Sequence, residues 1–237
     1  MSNYSQTHKR TVLSEIRRHL PENFSVESVT EVARRRGRVF SYSIRLFLRY
    51  LEEKDLIDEH TLSELRSRIK VPRTNPDLFV PSTQQVLLAF HELEEKYKDI
   101  FKLIAFSGIR RIDCFRFLSS FNEKLLFIKG NIARYPLQAF RKTKRTFFVY
   151  FPSAFTDEFP LNRTHPDTIT KKFAVKPKYL RKWNYNFLIE RGVPESVADF
   201  IQGRAPLSIG SMHYLARAKQ ADTWYSRVAD ELFELFS

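Results

Sequence analysis

Cysteine is nearly missing from this chain: Cys114 is the only one in 237 residues. That excludes an internal disulfide and any cysteine-built metal cluster, and it fits a reducing compartment. No apolar run approaches the ~18 residues that a membrane span needs. The opening Met1-Ser2-Asn3-Tyr4-Ser5 has no apolar signal core, so the expected location is the cytoplasm, with no membrane partner. Internal repeats and low-complexity tracts are absent as well. The six histidines show no metal-ligand spacing, and His165 stands before a proline, so neither a metal nor a metal hydrolase is expected. Acid is also scarce: 27 Asp and Glu face 40 Lys and Arg, a net charge of +13 and a pI of about 9.9. A field of that sign attracts polyanions, nucleic acid first and an acidic membrane surface second.

What is present suits packed cores. Hydrophobic residues make up 43% of the chain and include 22 Phe, which argues against global disorder. Residues 1–70 read as a small helical domain. Val12, Leu13, Ile16 and Leu20 recur at helical spacing; Ser25 caps a second helix through Val26, Val29 and Val32; Ser41 to Lys54 and Thr61 to Ile69 supply two more. The run Arg34, Arg35, Arg36, Gly37, Arg38 reads equally as a solvated helix end and as a phosphate contact. Residues 71–81 hold three prolines without helical period and read as a linker. Residues 82–237 form the second domain. Ser82 caps a helix from Thr83 to Tyr97, a further helix covers Asp99 to Phe106, and Gly108 breaks it before another begins. Lys124–Lys129, Ala133–Phe140 and Thr146–Phe151 are rich in aromatic and branched residues and read as a small antiparallel sheet. Both parts are basic: residues 1–70 carry 14 Lys and Arg against 10 Asp and Glu, and residues 71–237 carry 26 against 17. A clamp with two DNA-facing surfaces fits that distribution.

Several spacings carry chemistry. Lys178 and Arg181 stand three apart, so a helix would aim both at one anion. Six cations and no acid lie between Lys171 and Lys182, among them Lys172 and Lys176. Arg110 starts a helix after Gly108, where backbone N–H groups favour an anion; pairing with Asp113 across one turn is the plainer alternative. The last hairpin turn, Arg141-Lys142-Thr143-Lys144-Arg145, reads either as edge protection or as a groove contact. Gly203-Arg204 follows a helix C-terminus, and Tyr214 comes one short turn later. From Asp222 to Phe236 an amphipathic helix is expected, which must bury Trp224, Val228, Leu232 and Leu235 on its own domain or on a neighbour.

Taken in order, Gly108-Ile109-Arg110 with Asp113, a hairpin lysine, Lys178-x-x-Arg181, Gly203-Arg204 and Tyr214 resemble the tyrosine recombinase (phage integrase) family over residues 82–237. The resemblance is closest to the integrases of archaeal viruses and plasmids. It implies a mainly α (α+β) protein: residues 1–70 as a core-binding domain, and residues 82–237 as a helical catalytic domain with a small sheet. It also implies a site-specific DNA recombinase that works through a 3′-phosphotyrosine intermediate on Tyr214, without cofactor, metal or ATP. Arg110 and Arg181 would hold the scissile phosphate and Asp113 would orient the arginine. Lys144, or alternatively Lys142, would protonate the leaving 5′-oxygen. Lys178 and Arg204 stand where most members carry other residues, Lys178 in place of histidine and Arg204 in place of His or Trp. Arg34, Arg35, Arg36, Arg38, Arg141, Lys142, Arg145, Lys171, Lys172, Lys176 and Lys182 are the further DNA contacts expected. The implied partners are double-stranded DNA attachment sites, with tRNA genes among the targets, and further copies of the chain in a tetramer on DNA. A type IB topoisomerase-like nicking-closing enzyme and a non-catalytic basic DNA-binding protein remain the alternatives. Tyr225 is the rival nucleophile.

Overall fold

In the computed structural model, residues 6–73, 75–141, 144–158, 168, 170–204 and 212–237 are described. The chain divides into two compact units, Met1–Asp77 and Leu78–Ser237. The boundary therefore falls within the proline-rich stretch 71–81. Among the described residues the chain is mainly helical, with one three-stranded antiparallel sheet, an α+β protein.

The first unit consists of α1 (Gln6–His19), α2 (Val26–Arg36), α3 (Arg38–Glu53) and α4 (Glu59–Arg68). Val12, Ile16, Val29, Ala33, Phe40, Ile44, Leu48, Leu62, Leu65 and Ile69 form its buried core, following the helical period of the sequence. Local chemistry sets the starts of two helices. The Ser25 hydroxyl accepts from the Ser28 backbone N–H at 3.1 Å while the Ser25 N–H donates to the Ser28 hydroxyl at 3.0 Å, a reciprocal cap worth about 1 kcal/mol. Asp58 caps α4 through the Thr61 N–H at 2.8 Å, so that helix opens two residues ahead of Thr61. Gly37 has φ +71° and turns the chain within one residue, so α3 starts at Arg38. Ser41 lies inside its first turn, donating back to the Gly37 carbonyl at 2.8 Å.

The second unit holds α5 (Thr83–His91), α6 (Glu95–Ser107), α7 (Arg111–Ser120), β1 (Phe127–Lys129), β2 (Ile132–Arg141), β3 (Lys144–Pro152), α8 (Pro177–Glu190), α9 (Glu195–Ile201), α10 (Met212–Ser226) and α11 (Ala229–Glu234). Helix α6 is the axle: every residue from Ile100 to Ser107 is buried. The strands run in the order β1-β2-β3, with Ala133 opposite Phe151 and Tyr135 opposite Val149. Register slips between Pro136 and Ala139, where proline lacks the ladder donor and Gln138 takes φ +47°, a bulge that bends the strand leading to the basic turn.

Besides the two early helix starts of the first unit, the second unit departs from the sequence expectation at three places. The helix expected to run from Thr83 to Tyr97 breaks at Glu92–Glu94, because Leu93 turns into the core. Leu125 belongs to a 3-10 turn, Glu123–Leu125, and strand β1 begins only at Phe127. The single terminal helix expected from Asp222 is two, α10 and α11. The Asn131 side-chain amide donates to the Ser226 carbonyl at 2.8 Å and to Asp230 at 2.8 Å, giving the end of α10 a partner from the β1–β2 turn. Both helices pack on their own unit: Tyr225, Val228, Leu232 and Phe236 are buried. The Phe236 ring meets those of Phe90, Phe106 and Trp183 at 5.2, 5.5 and 5.8 Å. The sequence also suggests a short helix from Asp167 or Thr168 toward Phe173; residues 167 and 169 lie outside the described residues, and Thr170 to Phe173 are turn and irregular chain rather than helix.

Candidate functional site

Two glycines bring distant parts of the second unit together. Gly108 ends α6 at φ +57°, and a Cβ there would stand 2.4 Å from both Asn184 Oδ1 and Gln202 Nε2. Gly203 ends α9 at φ +65°, where a Cβ would meet Thr146 Oγ1 at 2.5 Å and the Arg145 carbonyl at 2.7 Å. Only glycine allows α9 to touch strand β3 at that point. Residues Arg110, Arg181 and Arg204, spread over the sequence, thereby meet around one turn.

Arg110 is the residue just before α7 and is half-buried. Its guanidinium donates to the Gly203 carbonyl at 3.0 Å and to Thr146 Oγ1 at 3.4 Å, and it lies 3.7 Å from Asp113 Oδ2. Asp113 is buried and accepts from the Thr146 hydroxyl at 2.9 Å. The plain Arg110–Asp113 pairing is thus present, and it is one edge of a larger cluster. Pairing orients the guanidinium rather than removing it, because the Asp113 contact uses one side of the fork.

Arg181 lies in α8, and only 9% of its surface is exposed. Its Nη2 donates to the Gln202 carbonyl at 2.7 Å, whereas its buried Nη1 has no hydrogen-bond partner among the described residues. Burial first, then the nearby Arg110 and Arg204 charges, push its pKa down to about 9. It remains a cation at neutral pH, held where cations repel and water is largely excluded. Such an arrangement is costly without an anion and favourable with one. Its backbone is fixed from behind: Gln202 Nε2 donates to the Arg181 carbonyl at 2.9 Å and to Asn184 Oδ1 at 2.7 Å, and Asn184 Nδ2 donates to the Ala105 and Phe106 carbonyls at 2.8 and 3.0 Å. Arg204 places its Cζ 4.5 Å from the centre of the Tyr185 ring.

A cleft of about 450 Å³ opens beside Arg110. Lys178, Lys176, Lys171, Arg111, Thr170 and Pro177 also line it, so its walls carry five cations. Lys178 rests over the Tyr179 ring at 5.1 Å, and Lys176 Nζ donates to the Lys171 carbonyl at 3.1 Å. A groove walled this way focuses a positive field on a backbone of phosphates.

The other expected contacts are dispersed. Lys172 is exposed and Arg145 half-buried. Lys182 Nζ donates to the Phe79 carbonyl at 2.8 Å. In the first unit Arg34, Arg35 and Arg36 are exposed in the last turn of α2, and Arg38 donates to the Pro72 carbonyl. Lys142 and the side chains of Arg141, Lys144 and Tyr214 lie outside the described residues, although Lys144 opens β3 and Tyr214 belongs to the first turn of α10. Tyr225, the rival nucleophile, is fully buried, its hydroxyl donating to the Phe106 carbonyl at 3.0 Å; burial pushes its pKa well up. It is a core residue.

Sequence reasoning missed Thr146, Asn184 and Gln202. The latter two left a readable signal: Asn184 sits between Trp183 and Phe187 on a buried helix face, and Gln202 follows the buried Phe200 and Ile201. A polar side chain on an apolar face marks either a satisfied network or a site.

A family model described as archaeal phage integrase matches residues 78–231, well over half of the chain. The match begins where the second unit begins and spans Arg110, Lys178, Arg181, Arg204 and Tyr214. No curated protein matches the chain.

Proposed function

Since the chain belongs to the archaeal phage integrase family, whose role implies DNA as partner, we propose that it is a site-specific recombinase of the tyrosine recombinase type. In this reading Tyr214 is the nucleophile. Its phenolic oxygen attacks the scissile phosphorus, the bond to the 5′-oxygen breaks, and the products are a 3′-phosphotyrosine and a 5′-hydroxyl. Lys144, or Lys142 beside it, gives the proton that the departing 5′-oxygen takes up. Exchange of the 5′-hydroxyl from a second duplex reverses the step and conserves the phosphodiester energy, so neither ATP nor a metal is needed.

The observation that carries the reading is the buried Arg181, with Nη1 unpartnered among the described residues, beside Arg110 and Arg204. Charge develops on the non-bridging oxygens in the transition state, and rigid planar donors answer it better than a lysine would. Asp113 and Thr146 hold Arg110, while Lys178 adds a further cation from the cleft wall. The same positive field lowers the cost of a tyrosine phenolate, whose unperturbed pKa is ~10. The second unit is the catalytic domain and the first a DNA-binding domain, with Arg34, Arg35 and Arg36 offered to phosphates. Attachment-site duplexes are the substrate and a tetramer is the working assembly.

A duplex nicked beside the cleavage position, drawn from DNA flanking the gene, traps the covalent intermediate. Wild-type protein is expected to give a covalent protein–DNA band. Tyr214→Phe is expected to give none while binding duplex within ~2-fold of wild type, because only the attacking oxygen is removed. A band that survives in Tyr214→Phe, or one lost only in a Tyr225 variant, sinks the assignment.

A further inference from the structure

Helix α8 presents Lys178, Arg181 and Tyr185 at intervals of three and four residues, a single stripe along its surface. The first two were expected from sequence as anion ligands; Tyr185 was not. Arg204 reaches this stripe from the end of α9. Its backbone is held firmly: the Arg204 N–H donates to the Asp199 carbonyl at 2.7 Å, and Gly203 before it takes the left-handed φ of +65°. Its side chain is exposed and has several rotatable bonds, so a fixed backbone alone does not aim the guanidinium. The Tyr185 ring lies under it, 4.5 Å from Cζ to the ring centre, within the range where a ring face attracts a cation.

We infer that Tyr185 is a positioning residue, whose ring face holds Arg204 in the guanidinium cluster with Arg110 and Arg181. The inference rests on the proposed phosphate-binding role of that cluster. It gives the half-buried Tyr185, one turn beyond Arg181, a role that a side chain without a ring face would not fill. The ring matters in this role and the hydroxyl does not. Burial, then the Asp199 and Glu195 carboxylates, push the Tyr185 phenol up to about 12. A tyrosine so placed stays neutral and is a poor nucleophile, although it stands beside the arginines. Preorganising a cation costs nothing at the moment of reaction, so its loss shows in rate more than in duplex affinity.

The test is a double-mutant cycle with Tyr185→Phe, Tyr185→Leu, Arg204→Ala and the pair Tyr185→Leu/Arg204→Ala, each read in two ways. The first readout is the single-turnover rate of covalent attachment to the nicked duplex; the second is thermal protection by inorganic sulfate, which occupies the cluster without any cleavage. Tyr185→Phe is expected to match wild type within ~2-fold. Tyr185→Leu is expected to lose about 10-fold in rate, near the strength of one cation–π interaction. The pair is expected to be no slower than Arg204→Ala alone; sulfate protection should fall in Tyr185→Leu by no more than in Arg204→Ala, and the pair should match Arg204→Ala. Additive losses, or a Tyr185→Leu variant that keeps full sulfate protection, overturn the inference. So does a Tyr185→Phe variant without activity, which would make the phenol itself the reacting group. If wild-type protein forms no covalent adduct while the sulfate cycle still shows coupling, the recombinase reading fails and the positioning role stands.

Discussion

Two arginine groups in this molecule look equally promising by charge and behave oppositely. Arg34, Arg35 and Arg36 are adjacent in sequence, exposed, and placed in the last turn of α2, where a helix C-terminus favours cations. Water already solvates them. Arg110, Arg181 and Arg204 are scattered along the chain, yet Arg181 is nearly buried, depressed in pKa by burial and by the other two, and left with an unpartnered Nη1 among the described residues. The contiguous group costs the fold little and selects little. The scattered group costs the fold stability and gains from an anion of one shape. Local charge density is therefore a poor guide to a reacting centre, whereas enforced convergence of like charges is a good one.

The sharpest way to break that contrast is to remove arginines of the scattered group one at a time. Arg110→Ala and Arg181→Ala are expected to lower the rate of covalent attachment by at least ~100-fold, by analogy with the loss of one oxyanion donor, and Arg181→Lys to recover little of it. Normal rates in both alanine variants, measured by single-turnover cleavage, would move the active centre elsewhere.

Glycine supplies the next test, because each group adjoins one with positive φ. At Gly37 an added Cβ meets nothing within 4 Å, whereas at Gly203 it strikes the Arg145 carbonyl and Thr146. Gly37→Ala meets no neighbour but forces a side chain onto φ +71° and ψ −149°, a conformation essentially reserved for glycine, at about 1–3 kcal/mol. Gly203→Ala forces a side chain onto a positive φ and adds a clash with backbone, so its urea midpoint should fall further and attachment should be lost. Equal midpoints in the two variants would mean that the α9–β3 contact yields easily.

Replacing Arg34, Arg35 and Arg36 together with alanine should weaken duplex binding uniformly across sequences. The slope of log affinity against log salt should shrink by ~0.9 for each phosphate that is no longer neutralised. The cleavage rate of bound duplex should not change; an unchanged salt slope would assign these residues to solvent alone.

The smallest effect expected is on stability without DNA. The folded state holds Arg181 at about 9 against an ordinary value of 12.5. Below about pH 9 both states are protonated, and the fold bears the whole cost of the buried charge. Above it the folded state sheds its proton first while the unfolded chain still binds one, so stability rises with pH through that window. Arg181→Met should thus melt a few degrees higher than wild type at pH 7, by roughly the shift that a gain of about 1 kcal/mol brings. The gap in thermal midpoint should narrow from pH 8 to pH 10.5. A variant that melts lower than wild type at pH 7 would show that the Gln202 contact outweighs the buried charge.

Some of this protein was settled by its sequence alone. Caps such as Ser25 and Ser82 depend on groups three residues apart, Gly108 breaks α6 because glycine takes a φ of +57° without strain, and the aromatic and branched runs pair as antiparallel strands. The ordered set of Arg110, Lys178, Arg181, Arg204 and Tyr214 was legible too, although nothing in its spacing says how near these side chains come. Tertiary structure alone decided the rest. Glu92, Leu93 and Glu94 are good helix formers, and only the pull of Leu93 into the core breaks the helix there. Ser226 ends α10 where the Asn131 amide from the β1–β2 turn meets its carbonyl, and Tyr225 passed as a candidate nucleophile until the core closed over it. Periodicity records which face of an element is buried, never which other element buries it. The burial of Arg181, the Thr146 bridge and the Tyr185 ring beneath Arg204 all belong to that second kind of information, because each joins residues from different elements across a turn that only Gly203 permits.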